Sequence, residues 1–281
     1  MVTSKPSTGE GYDSTQSAHV RATCLYVATK LGDLLDEIVV VGGLALYLLV
    51  DPDALPTGSG SHAGTMDLDV GLALDILDKD RYRDLGARLR DAGFKAAVND
   101  EGNLTLQTWT APTRPPVRVD FLIPPADDTT RGGTVLHIEP DFAAIVTPGL
   151  DLPFRDRRRK ELSGRIPSGA LAFRNIPVCG PGAFTVLKAL AFGNRTENKD
   201  AYDLFYVWRG VGLDDVVASL TSIERSPYID DALSVIERDF CHHDGPGPVA
   251  TASFIARGLD DDIQADVVGY AQELLRSMRR R

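Results

Sequence analysis

The most constraining feature of the chain is Ile38-Val-Val-Val41 followed at once by Gly42-Gly43. Four β-branched residues in a row are stiff at χ1 and suit a pleated, buried strand far better than a helix. The glycine pair lets the backbone turn sharply and opens the way for a second element. Leu44 to Val50 then reads as a helix starting at the glycines and ended by Pro52 and Pro56. A fully apolar strand leading into a helix demands a sheet with covered faces, and so an α/β or α+β fold. The glycines read in two ways: an ordinary tight turn, or backbone N–H groups at a helix start left open to an anion.

The rest of the first half repeats the strand signal. Met66–Leu74, Phe94–Val98, Leu104–Thr110 and Val117–Ile123 read as strands, separated by Asn99-Asp-Glu-Gly-Asn103 and Pro112-Thr-Arg-Pro-Pro116. Helical spacing runs from Thr15 to Ile38 and from Leu77 to Ala92, where Gly93 closes it. After Gly180-Pro-Gly182 the spacing is helical throughout, near 182–194, 197–209, 214–224, 227–241 and 247–278. We expect a flexible 1–15, a mixed α/β domain over 16–170 and a helical domain over 171–281. The Gly- and Ser-rich stretch 57–65 reads as a flexible loop.

Two stretches of the first half carry chemistry. In Asp67-Leu-Asp69 the strand period of two sends both carboxylates to one face. Two like charges side by side repel, and a cation between them removes the cost. Oxygen ligands at this spacing suit Mg²⁺, with Mn²⁺ as the substitute. In Val117-Arg-Val-Asp-Phe-Leu-Ile123, Asp120 sits among apolar neighbours and needs a partner, which a site shared with Asp67 and Asp69 would supply. The plainer reading is a solvent-facing strand with exposed aspartates.

Charge sharpens the picture. The 281 residues carry a net −10, which taken alone argues against a nucleic-acid partner. Resolved along the chain, residues 155–195 hold nine basic and two acidic side chains, a net +7 centred on Arg155-Asp-Arg-Arg-Arg-Lys160. Arg155, Arg157, Arg158, Arg159 and Lys160 are either a solvated face or a contact for a polyanion. With 43% apolar residues the chain is no disordered polymer. Cys24, Cys179 and Cys241 form no disulfide framework, which fits a reduced cytoplasm. The longest apolar run, Ile38 to Val50, falls short of the roughly 20 residues a membrane span needs, and no apolar leader stands at the start.

Several features are weaker. Cys241-His-His-Asp244 could suggest a metal, but adjacent histidines diverge on a helix and a structural role fits better. Asp260-Asp-Asp262 reads as a helix start, Trp109 and Trp208 as core, and Arg279-Arg-Arg281 as a helix end. Lys188 lies on an apolar helix face, either snorkelling or held for an anion. Asp200 and Asp203 share a helix face, and Lys199 with Asp203 makes an i,i+4 pair that a surface ion pair would explain. Tyr202 and Tyr206, four apart, read as core packing beside Lys188.

The order Gly42-Gly43, Asp67-Leu-Asp69, Asp120 resembles the nucleotidyltransferase superfamily that includes polymerase β. Lys188 followed by Lys199-Asp-Ala-Tyr-Asp203 makes the chain similar to its AbiEii/MenT group, the toxins of type IV-like toxin–antitoxin pairs. The resemblance spans roughly residues 38–208, with 57–65 as an insertion. It implies a nucleotidyltransferase fold, with a mixed sheet first and helices after. It implies Asp67, Asp69 and Asp120 as metal ligands, Gly42 and Gly43 as the triphosphate seat, Lys188 as a phosphate contact and Asp203 as completing the site. It further implies a cytoplasmic enzyme that transfers a nucleotide from an NTP to RNA, the tRNA 3′ end above all, blocks translation and has a cognate antitoxin. Nucleotidylation of a small molecule such as an aminoglycoside, or of a protein hydroxyl, is the alternative chemistry. A non-catalytic nucleotide-binding or interaction protein is the alternative of another class.

Overall fold

The computed structural model describes residues 6–51, 55, 62–73, 79–127 and 130–280. The protein is mixed α/β, with one mixed sheet and ten α-helices among the described residues. It divides into two compact units, 1–4, 13–45 and 64–179 in the first, 5–12, 46–63 and 180–281 in the second. The expected division at 170/171 falls inside the first unit, ahead of its last strand.

The first unit is the sheet. It opens with α1 (Ser14–Leu31), whose first turn is capped by Asp13 accepting from the Thr15 N–H. Gly32, at φ +58, ends it, and a 3₁₀ stretch, Gly32–Glu37, leads into β1 (Ile38–Val41). All four β1 residues are buried, as their composition requires. α2 (Gly42–Leu49) follows without a loop, made possible by Gly42 at φ +66. β2 (Asp67–Leu72) runs antiparallel to β1, with Val41 opposite Asp69. After α3 (Lys79–Asp91) come β3 (Lys95–Val98), β4 (Leu104–Thr110) and β5 (Arg118–Ile123). β5 lies parallel beside β2, with Asp69 opposite Asp120.

Four more strands complete the sheet: β6 (Val135–Glu139), β7 (Phe142–Val146), β8 (Arg157–Arg165) and β9 (Leu171–Cys179), with a short α4 (Leu152–Arg155) before β8. The strand order is β3-β4-β5-β2-β1-β9-β8, with β7 also pairing β5 and β6. None of these four was expected from sequence. β8 is masked by its own composition: Arg157-Arg-Arg-Arg-Lys-Glu reads as a solvated charge run, yet it pairs along its whole length with β9. The core is built from alternate strand residues: Leu68, Val70, Val119, Phe121 and Ile123 are all sealed from solvent.

The second unit is helical. α5 (Pro181–Arg195), α6 (Asn198–Val211), α7 (Leu213–Ser222), α8 (Pro227–Phe240), α9 (Pro246–Ala256) and α10 (Asp261–Arg279) follow in order. The helical spacing over 247–278 resolves into two helices, and α10 begins at the Asp260-Asp-Asp262 helix start read from the sequence. Arg257 takes the left-handed conformation at φ +63, Gly258 follows, and Asp260 caps α10 by accepting from the Ile263 N–H. Trp208 and Phe240 pack edge to face in this core. The N-terminal stretch is less frayed than expected where it is described: Tyr12 packs on Phe254, and Asn198 donates to the Ser7 carbonyl at 3.2 Å. No helix among the described residues is long and apolar enough to cross a membrane.

Candidate functional site

The carboxylates converge in the sheet unit because of register. β2 and β5 are parallel neighbours, and Asp69 stands opposite Asp120. Asp67 projects from the same face of β2 two residues earlier. All three side chains are half-buried, and one carboxylate oxygen from each can be chosen so that all lie within 4.8 Å of one another. This is the one cluster of its kind among the described residues, and it could hold a metal ion. Three anionic oxygens so close repel unless cationic charge sits among them.

Neighbouring side chains fix the trio. Thr108 on β4, opposite Asp120 in the antiparallel β4–β5 ladder, donates its hydroxyl to Asp120 Oδ1 at 2.5 Å. Thr65 donates to the Asp67 backbone carbonyl at 3.0 Å and lies 3.4 Å from its Oδ1. Gly42 is shaped by the site. A Cβ built there would overlap Asp69 Oδ2, and one on Gly43 would come within 2.8 Å of Thr65 Oγ1. A glycine at 42 therefore serves two needs, the positive φ and the close approach to a carboxylate. Gly42, the first residue of α2, thus lies directly against that carboxylate. A hard cation on the trio fits this cradle and donor chemistry.

Lys188 and Asp203 lie in the helical unit, in a second cluster. Lys188 Nζ on α5 is 2.8 Å from both Asp200 Oδ1 and Asp203 Oδ2 on α6. Burial opposes its charge, but the two carboxylates outweigh that and raise its pKa above the ordinary lysine value. Lys199 Nζ sits 2.6 Å from Asp203 Oδ1. Burial holds its pKa below the ordinary value despite that carboxylate, and the Lys188 charge adds to the effect. Asp203 is fully buried, and against that burial the two ammonium groups keep its pKa well below the usual carboxylate range. Arg195 closes the set with contacts to Asp200 of 2.7 and 3.0 Å.

His62 completes this cluster, with Nε2 at 3.0 Å from Asp203 Oδ1. Burial and then the Lys199 charge pull its pKa down to about 4, against the pull of Asp203 in the other direction. At neutral pH the ring is therefore uncharged, and the Nε2–H tautomer donates to Asp203. Tyr202 and Tyr206 flank the ring with centroids 5.5 and 5.0 Å away, and the Tyr202 hydroxyl accepts from the Ala63 N–H at 3.0 Å. The i,i+4 pair of Lys199 and Asp203 is thus no surface pair; both are buried.

No protein-family model and no curated protein matches the chain. Its functional reading rests on these geometries and on the sequence resemblance.

The remaining candidates are accounted for. Arg155 sits at the end of α4, 3.6 Å from Asp151. Arg157 to Lys160 lie on β8, where Arg157 donates to the Asp36 carbonyl at 2.9 Å and Arg159 pairs with the Asp36 carboxylate. Arg158 and Lys160 fall on the opposite, half-buried face. Trp109 and Trp208 are core. His243 pairs with Asp244 and the Cys241 thiol lies 3.7 Å from the Ile236 carbonyl oxygen, so this run is structural. Of the 57–65 loop, residues 57–61 lie outside the described residues. Sequence reasoning missed Thr108, Thr65, Arg195 and the place of His62. Thr108 had no readable signal, because the β4–β5 register that pairs it with Asp120 depends on the turn between them.

Proposed function

We propose that the chain is a Mg²⁺-dependent nucleotidyltransferase that moves a nucleotidyl group from an NTP to an acceptor hydroxyl, with the tRNA 3′ end as favoured acceptor. The observation that carries this reading is the Asp67, Asp69 and Asp120 trio, gathered on adjacent parallel strands beside the start of α2. Three oxygen ligands suit Mg²⁺, with Mn²⁺ as the substitute. Bound there, the cation would offset triphosphate charge and acidify the acceptor hydroxyl.

The chain's residues supply the rest. Asp67 and Asp69 would hold the cation from one face of β2. Gly42 and Gly43 keep the backbone open at the α2 start, where N–H groups can meet a triphosphate. Asp120, aimed by Thr108, accepts the acceptor's proton on a carboxylate oxygen. The acceptor oxygen bonds the α-phosphorus as its bond to the oxygen bridging to the β-phosphate breaks, and pyrophosphate leaves. A phosphate contact by Lys188 would have to compete with Asp200 and Asp203 for the ammonium. A role as a translation-blocking toxin with a cognate antitoxin draws its support from the sequence resemblance.

Incubating the protein with each α-labelled NTP, Mg²⁺ and total tRNA should label the RNA. Asp69→Ala should abolish labelling and leave cooperative melting intact. Labelling that survives the substitution overturns the reading. So does the absence of transfer to RNA, to an aminoglycoside panel or to protein from every NTP. Stabilisation by NTP and Mg²⁺ without any transfer would point instead to a nucleotide-binding protein.

A further inference from the structure

The β8–β9 hairpin carries a feature that the trio does not use. Strand alternation divides it into two faces. On one face Leu162, Ile176 and Val178 are buried. The other face is open over most of its length: Arg157, Arg159, Glu161, Ser163 and Arg165 on β8 are all exposed. On β9 the same face presents Leu171, 75% exposed, opposite Arg165, and Phe173, 53% exposed, opposite Ser163. A large aromatic is left in water with Arg165 diagonal to it on one side and Glu161, then Arg159, on the other, on an otherwise acidic chain. Burial of Phe173 and Leu171 against the protein's own core would have been the cheaper arrangement.

We propose that this face binds a single-stranded RNA segment, with a base stacked on Phe173 and phosphates held by Arg159 and Arg165. The inference rests on RNA being the acceptor in the reading above. Charge complementarity names the occupant: the +7 band is the one strongly basic stretch of a −10 chain, and this hairpin holds most of it. An exposed aromatic on a face that also carries arginines offers the stacking surface and the electrostatic track that single strands use. The six residue steps from Arg159 to Arg165 span about 20 Å of extended strand, the reach of a few nucleotides rather than of one phosphate. The present partners of these arginines can be displaced. Arg159 pairs with an Asp36 that is itself exposed, and exposed pairs contribute little. Arg165 donates one N–H to the Gly169 carbonyl and keeps the remainder of its fork for a phosphate. Glu161, in the middle of the face, opposes a polyanion, and this gives the proposal a signed test.

The test is fluorescence anisotropy of the full-length protein with a labelled single-stranded 12-nucleotide RNA, without NTP or Mg²⁺. Phe173→Ala should weaken binding at least about fivefold. Arg165→Ala should weaken it and lower the log–log salt slope by about 0.7, the value for one phosphate on a single strand. Glu161→Gln should tighten it, an effect that a purely structural role for the hairpin would not produce. Melting curves of the three variants check the fold. RNA binding unchanged by all three variants overturns the proposal, as does equal binding of duplex RNA or polyglutamate. Because the assay needs no catalysis, hairpin-dependent binding without transfer would leave this inference standing and sink the enzyme. Transfer to RNA with hairpin-independent binding would do the reverse.

Discussion

At the scale of single residues, two positions carry more than one constraint. Gly42 combines a φ of +66 with a side-chain position already taken by the Asp69 carboxylate. Gly42→Ala is expected to cost about 1–2 kcal/mol from the left-handed backbone alone, and more as Asp69 is displaced. A urea midpoint reads the stability, and Mg²⁺ titration reads the displaced ligand. Thr108→Val keeps the shape and removes the donor to Asp120; loss of such a supporting bond should weaken cation binding about 10- to 100-fold, read by calorimetry. His62 makes the opposite kind of prediction. Asp203, Lys199 and Lys188 face it, and the folded protein holds it neutral with a pKa of about 4 against 6.5 in the open chain. The unfolded state then binds the extra proton between those values, so stability falls as pH drops from about 6.5 to about 4, by up to about 3 kcal/mol. His62→Gln, which can still donate to Asp203, should flatten that part of the pH–stability curve. A curve of unchanged slope would contradict the neutral buried ring.

At the scale of elements, α5 and α6 are joined by charges that neither helix could bury alone. Lys188→Met would leave Asp200 and Asp203 short of their shared cation and should cost about 3–5 kcal/mol in chemical denaturation, whereas a dispensable pair would cost under about 1. Elements were legible where burial on one face imposed a clear period. β1 and β2 were readable from Ile38–Val41 and from the Asp67, Asp69 alternation, and α5 through α8 from apolar spacing. β8 was not, because its open face is arginine after arginine and only Leu162 marks the buried side. The break between α9 and α10 was legible from its far side, in the capping Asp260, and not from Arg257, whose left-handed conformation its side chain does not announce. The aspartate trio was readable because strand period and chain order both pointed at it. The depth of Lys199 and Asp203 was not, since an i,i+4 pair looks the same in sequence whether wet or dry.

At the scale of the whole molecule, the net −10 conceals an uneven distribution of charge. Part of the acidity is gathered in the half-buried trio and in the Asp200, Asp203 cluster, and the basic surplus sits on a solvent-facing hairpin. If three phosphates are held there, RNA affinity should fall about tenfold or more between 50 and 200 mM salt, measured by the same anisotropy assay. An affinity indifferent to salt would place RNA elsewhere or exclude it. Nucleotidyl transfer here requires above all that the trio be a divalent-cation site. The most direct measurement is calorimetric titration of Mg²⁺ into the wild-type protein and into Asp69→Asn, with melting curves alongside. The account predicts saturable Mg²⁺ binding and a Mg²⁺-dependent rise in Tm for the wild type, both lost in the variant. Identical titrations for the two proteins, or no Mg²⁺ binding by the wild type with or without NTP, would contradict it.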